Sequence, residues 1–303
     1  MASTVQFHTN HRFRGFSYEP EVQSFGRKKV TLVENHDWKI ELSGKSRAYH
    51  SLGEAALRYL RSAEGLFRVG QLSERVPKFV NLARQEMGLP RLKPLDVCAQ
   101  QSRMAWNWLA TIPRTIEMTP GVISAVQDAQ AALQSNTLLP QQIQFKVETA
   151  FREVSDAIAM YAYSMSNVAS LFLNTDKLCA TCINVGSVST FSNDLVSLKI
   201  NAENYARASS IDLTGATHAI KDTVNQTKYY NLLSMAKDIV SCVSGFFGIL
   251  LLATGVAVVP GIALAALSLA STVFGVSRKL YSETMPFKPL EFLANKNVTY
   301  LAV

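Results

Sequence analysis

From Ile239 to Ser277 the chain runs thirty-nine residues without Asp, Glu, Lys, Arg or His: IVSCVSGFFGILLLATGVAVVPGIALAALSLASTVFGVS. A helix in water normally turns at least one polar stripe to solvent, and this stretch has no charged residue with which to build one. Two outcomes remain: sheathing on every side by other helices, or entry into a bilayer. A spanning helix needs about twenty apolar residues for a hydrocarbon core of about 30 Å. Ile239 to Val259 supplies twenty-one, about 32 Å at the helical rise of 1.5 Å per residue. Pro260 and Gly261 then provide a reversal, because Pro disfavours continued helix and Gly accepts turn conformations. Ile262 to Ser277 supplies sixteen more, about 24 Å, a shortfall that costs a fraction of a kcal/mol per Å of mismatch.

The flanks favour the bilayer. Lys228 and Lys237 precede the first limb, and Arg278 and Lys279 follow the second. Cations at both ends keep both ends on one side of a membrane, as a two-helix hairpin requires. Gly245, Gly248 and Gly255 on one limb and Ala263, Ala266 and Ala270 on the other offer small faces for close packing. The sequence therefore predicts a hydrophobic helical hairpin at 239–277 with its turn at Pro260 and Gly261.

Charge separates this apolar region from the start of the chain. The formal net charge is +7, and all of the excess lies in the first third: 17 Lys and Arg against 10 Asp and Glu up to Met104, 13 against 13 beyond it. The cluster Arg12, Arg14, Arg27, Lys28 and Lys29 is expected to contact an anionic surface. A membrane surface suits it, each nearby cation contributing about 1 kcal/mol; nucleic acid is the less favoured partner. Residues 1–26 are polar, lack periodicity and lack the apolar core of a secretory signal, so they read as a flexible basic segment without an ordinary export leader.

Between these ends the pattern is mainly α. Val30 and Leu32, then Trp38, Ile40 and Leu42, alternate across Asn35-His36-Asp37 as in a β-hairpin. Ser51 precedes Leu52, Ala55, Ala56, Tyr59, Leu60, Ala63 and Phe67, one helical face with Glu54 completing a capping box. A second helix is expected over 72–87, stopped by Gly88, and GLPRLKP over 88–94 reads as a linker between domains. Helical patterns follow at 95–112, 121–134, 141–174, 177–208 and 216–238, the first three punctuated by Pro113, Pro120 and Pro140. The predicted organisation is a basic segment (1–26), a small α+β region (27–94), a helical bundle (95–238), the hairpin (239–277) and a tail (278–303). Within the bundle, 157–175 and 178–193 are also uncharged but rich in Ser and Asn; they read as buried bundle helices in close contact.

Sites of chemistry are absent from the pattern. Ser43-Gly-Lys-Ser46 resembles the end of a phosphate-binding loop, but Lys39 stands where the first Gly is needed. Cys179 and Cys182 form a lone C-x-x-C without a second ligand pair or a βαβ context. His8, His11, His36, His50 and His218 show no ligand spacing, and no G-x-S-x-G is present. Neither an enzyme, a cofactor, a metal nor a small-molecule substrate is expected.

A polar N-terminus, a helical body and a two-lobed hydrophobic hairpin of about forty residues with a Pro-Gly turn resemble the chlamydial inclusion membrane proteins. That resemblance implies type III secretion into a host cell, insertion into the membrane of the pathogen's vacuole, and display of flanking segments to bind host proteins. Here 238 residues precede the hairpin and 26 follow it, a later hairpin than many members of that family have. The function expected is a membrane-anchored, non-catalytic effector or scaffold contacting lipids and a host protein, with self-association open. The alternative is a pore-former or translocator, whose hidden apolar hairpin inserts into a target bilayer.

Overall fold

The computed structural model describes residues 16–22, 27–34, 38–45, 52–138, 140–169, 176–209, 218–255, 259–284, 290–292 and 299–301. The chain is mainly helical, with two apolar helices toward its C-terminus. Strands β1 (Phe16–Val22), β2 (Arg27–Glu34) and β3 (Trp38–Lys45) pair antiparallel, Val30 opposite Leu42 and Leu32 opposite Ile40. Two short strands, β4 (Leu290–Phe292) and β5 (Thr299–Leu301), pair near the C-terminus.

Seven helices are assigned among the described residues: α1 (Leu52–Leu60), α2 (Ala63–Glu86), α3 (Lys93–Gln134), α4 (Pro140–Val168), α5 (Asp176–Ser209), α6 (His218–Thr254) and α7 (Gly261–Thr284). The single helix expected over 52–67 is broken at Ser62. The Ser62 side chain accepts from Gly65 N–H at 3.0 Å and donates to the Tyr59 carbonyl at 2.7 Å, capping α2 and ending α1 at once. Gly65 is required at this corner, since a Cβ there would stand 1.8 Å from the Tyr59 carbonyl oxygen.

At the other end of α2, Gly88 adopts φ +72°. Its N–H reaches the Gln85 carbonyl at 3.0 Å and Leu89 N–H reaches Arg84 at 2.8 Å, a Schellman ending. The segment read as a linker, 88–94, begins as this tight turn and ends in the first residues of α3. Buried Asn81 fixes it, its amide donating to the Leu92 carbonyl (3.0 Å) and accepting from Leu92 N–H (2.9 Å).

Three further expectations are corrected. The helix α3 passes through both Pro113 and Pro120 instead of stopping there; packing against α2 and α4 along its length outweighs the lost backbone bonds. The helix α6 joins the expected bundle helix and the first limb into one 37-residue rod. It ends at Thr254, five residues short of the predicted limb, because Gly255 takes φ +68° and turns the chain. Pro260 instead caps α7, its carbonyl accepting from Ala263 N–H at 2.9 Å. The second limb runs past Ser277 to Thr284, into the expected tail.

Helices α2 to α7 form a ring in which each packs on the next and α7 returns to α2. Every neighbouring pair is antiparallel, as paired contacts show: Arg114 with Asp156 and Asp128 with Lys146 join α3 to α4. Similarly, Phe191 meets Gly245 and Asn201 meets Asp238 between α5 and α6. Arg75 meets Ser268, and Glu64 meets Lys279, where α7 closes on α2. Among the described residues, helices across the ring do not approach one another.

Candidate functional site: a polar lumen within the ring

The buried set of this ring is about half polar, and alanines make up much of the rest. Of the largest fully buried side chains, Val224 is apolar, whereas Asn81, Thr227, Thr272, Asp194, Asp238, Ser166 and Ser234 are polar. Meanwhile Val188 and Phe246 are each 49% exposed, and Ile158, Tyr161, Val185, Ile239 and Val273 stand out similarly. Scattered exposed apolar residues are ordinary, but a buried polar set inside an apolar jacket is informative.

The antiparallel order brings the uncharged runs to one end. The run after Asp156 in α4 lies beside 178–193 of α5, with Ser166 3.2 Å from the Cys179 sulfur and the Tyr163 ring seated on Gly186. Next, Phe191 of α5 covers Gly245 of α6, placing 239–254 at the same level, and the turn at 255–260 returns α7 beside it. Four adjacent helices therefore share an uncharged slab, sixteen residues or about 24 Å deep in α5, α6 and α7. The helices α2 and α3 close the ring on the other side and bring Lys78, Lys93 and Arg103 to this end.

Two cavities lie within the ring. At the uncharged end, a cavity of about 610 Å³ is lined by small polar groups including Ser187, Thr190, Ser241, Ser244 and Ser268, with Arg75 and Glu74 from α2. Arg75 crosses to α7, donating to the Ser268 carbonyl at 2.7 Å and to the Thr272 hydroxyl. At the charged end, a cavity of about 660 Å³ is lined by all six helices of the ring, among them Arg68, Arg114, Arg152, Asn193, Tyr230 and Arg278. Between the cavities stands an ion cluster. Lys237 donates to Asp194 at 2.8 Å and to Asp238 at 2.9 Å; Ser241 also donates to Asp194, and Asn201 to Asp238 at 2.8 Å.

The residues expected to flank the hairpin take a different role from the one their spacing suggested. Lys237 is almost wholly buried in that cluster, and Arg278 faces the charged-end cavity with its guanidinium 5.8 Å over the Tyr230 ring. Lys279 is half-buried, 3.8 Å from Glu64. Of the basic N-terminal cluster, Arg12 and Arg14 lie outside the described residues, while Arg27, Lys28 and Lys29 open β2. Pro260 and Gly261 sit at the hairpin turn as expected, both exposed.

Electrostatics at the charged end are crowded. Burial alone would raise the Glu64 carboxyl, but Arg68, Lys279, Arg278 and Arg114 around it hold it below the ordinary value. Burial and then the Glu64 charge push the Tyr59 phenol up to about 12. Burial, and next the Arg114 charge, lower Arg68. No local spacing announces this cluster, because its members come from four helices, α1, α2, α3 and α7. Cys98, Cys179, Cys182 and Cys242 are free thiols, and no group of metal-ligating side chains occurs among the described residues. No protein family, curated protein or solved structure gives a match to this chain.

Proposed function

We propose that the protein is a non-catalytic integral membrane protein that sets the uncharged end of its helical ring in a bilayer and holds the charged end in water to bind a protein partner. The observation that carries this reading is the exposure of the two apolar helices: in their most apolar stretches, only 11% and 17% of residues are buried. A hairpin sheathed within a soluble bundle would be the reverse. The slab on α4 and α5 extends the apolar face beyond the hairpin, and exposed side chains such as Val188 and Phe246 suit lipid. The mismatch of a 24 Å slab with a core of about 30 Å is eased by the inward turn of Lys237 and Arg278, which lets the apolar outer face continue past them.

The basic N-terminal region, read as a small α+β unit, would serve the partner or the headgroup layer. Type III delivery and residence in a pathogen's vacuole membrane extend the reading through the resemblance to inclusion membrane proteins. Carbonate extraction of cells expressing the full chain tests the anchor: the protein is expected in the membrane pellet. Recovery as a monodisperse species without detergent would overturn it.

A second reading, pore-former or translocator, is favoured by one observation, the two cavities that follow one another along the ring with many polar side chains in their lining. Dye release from anionic liposomes is its test. Intact vesicles at high protein loading leave the anchor reading in place and remove this one.

A further inference from the structure

The charged-end cavity contains donors that lack an acceptor. Arg68 Nε and Arg278 Nε are buried with no hydrogen-bond partner, and so is the Tyr59 hydroxyl close by. Only Arg68 Nη1 has a protein acceptor, Gln71 Oε1 at 2.9 Å. The two guanidiniums are neighbours: the Arg68 side chain reaches from α2 to Gly275 of α7, where a Cβ would be 3.6 Å from its Cζ, and Arg278 is about one helical turn further along α7.

Five carboxylates also line this cavity, Glu64, Glu117, Glu153, Asp156 and Glu283, and those with cation partners are held by other side chains. Asp156 holds Arg114 at 3.0 Å, and that guanidinium also covers the Phe67 ring at 4.5 Å. Glu64 and Glu283 flank Lys279 at 3.8 and 4.0 Å. Neither Arg68 nor Arg278 has a carboxylate within 4.0 Å among the described residues. Two further unpartnered atoms of the lumen, Thr149 Oγ1 and Asn193 Oδ1, belong to α4 and α5.

A buried donor without an acceptor is destabilising, and three together leave a gap of defined chemistry. What they lack is an acceptor-rich, negatively charged group. Guanidiniums match the oxygens of a phosphoryl group through paired N–H bonds. Glu64 offsets part of their charge from beyond bonding distance, and a water molecule could meet one donor at a time without the paired bonds that two phosphoryl oxygens give a guanidinium.

We propose that Arg68, Arg278 and the Tyr59 hydroxyl form a binding site for a phosphoryl oxyanion at the charged end of the lumen. The cavity, about 660 Å³, is large enough for an inorganic phosphate or for the headgroup of an anionic phospholipid. Both sources are compatible with its level, immediately beyond the uncharged slab. The site goes beyond the anchoring reading and does not rest on it, because it is assayed in whichever medium keeps the protein monodisperse.

The test is calorimetric titration and thermal unfolding of the full chain with inorganic phosphate against chloride at equal ionic strength. Saturable binding and a phosphate-specific rise in the unfolding midpoint are expected. R278Q and Y59F should each weaken phosphate binding about tenfold or more, as loss of a charge-assisted hydrogen bond does. Y59F also guards against a folding artefact: its hydroxyl has no protein partner, so the midpoint without phosphate should not fall. R103Q, an exposed α3 position, should bind as the parent does. Equal responses to phosphate and chloride, or phosphate binding unchanged in both R278Q and Y59F, would overturn the site. Repeating the titration in nanodiscs of phosphatidylcholine with and without phosphatidic acid assigns the source. Loss of the phosphate response with phosphatidic acid marks a headgroup site, and its persistence marks a soluble anion; either result upholds the oxyanion chemistry.

Discussion

Asn81 lies inside α2 with both ends of its amide bonded to the backbone of Leu92. Substituting Ala would remove both bonds and leave the Leu92 N–H and carbonyl to water at the α2 to α3 turn, a loss of about 1 to 3 kcal/mol for two hydrogen bonds, read as a lowered unfolding midpoint in detergent. Glu64 and Tyr59 give the neighbouring cavity a dependence on pH of opposite sense. The Glu64 carboxyl is held below its ordinary value in the fold, so the unfolded chain binds the proton more readily. Its stabilisation is complete above the ordinary carboxylate range and is lost as pH falls through the lowered value. Tyr59, pushed up to about 12, stabilises the fold below about 10 and loses that effect as pH rises toward 12. E64Q should flatten the acid limb of a stability curve and Y59F the alkaline limb. Unchanged limbs would show that neither environment is as drawn.

At the level of elements, corners fix the ring more than helix propensity does. Gly65→Ala places a methyl against the Tyr59 carbonyl at 1.8 Å, so the α1 to α2 corner must open, at about 3 kcal/mol or more. Gly248→Ala is the matched control. A Cβ there meets nothing within 4 Å, and removing a helix-interior Gly should stabilise by about 0.5 to 1 kcal/mol. Denaturant unfolding of the two variants should therefore move in opposite directions. The corner is half legible in the sequence: Ser62 and Gly65 are ordinary capping residues, but an unbroken apolar face from Leu52 to Phe67 conceals them. Gly88 was legible as a stop, since a helix followed by Gly-Leu-Pro has few other conformations. The prolines of α3 misled for the converse reason, because neighbours on both sides keep a long helix intact where an isolated one would end.

For the whole molecule, the decisive property is the direction in which polar side chains face. If the slab on α4 to α7 meets lipid, an arginine at Val188 or Phe246 should impair insertion by about 2.5 to 3.5 kcal/mol. The same substitution at Ser244, which lines the uncharged-end cavity, should be milder. Partition of V188R, F246R and S244R between membrane and soluble fractions reads the difference, and equal behaviour of all three would count against this arrangement.

Read alone, the sequence determined that Ile239 to Ser277 reverses near Pro260 and that its limbs are long and apolar enough to cross a membrane, because absence of charge over thirty-nine residues is a local property. It also determined the helical character of the body, through apolar periodicity. The tertiary structure decided the rest: whether the Ser-rich runs of α4 and α5 lie beside the hairpin, whether Lys237 and Arg278 face inward, and whether cations from α2, α3 and α7 meet around Glu64. Those outcomes depend on which helix neighbours which and with what rotation, and no pattern within a single helix carries that information.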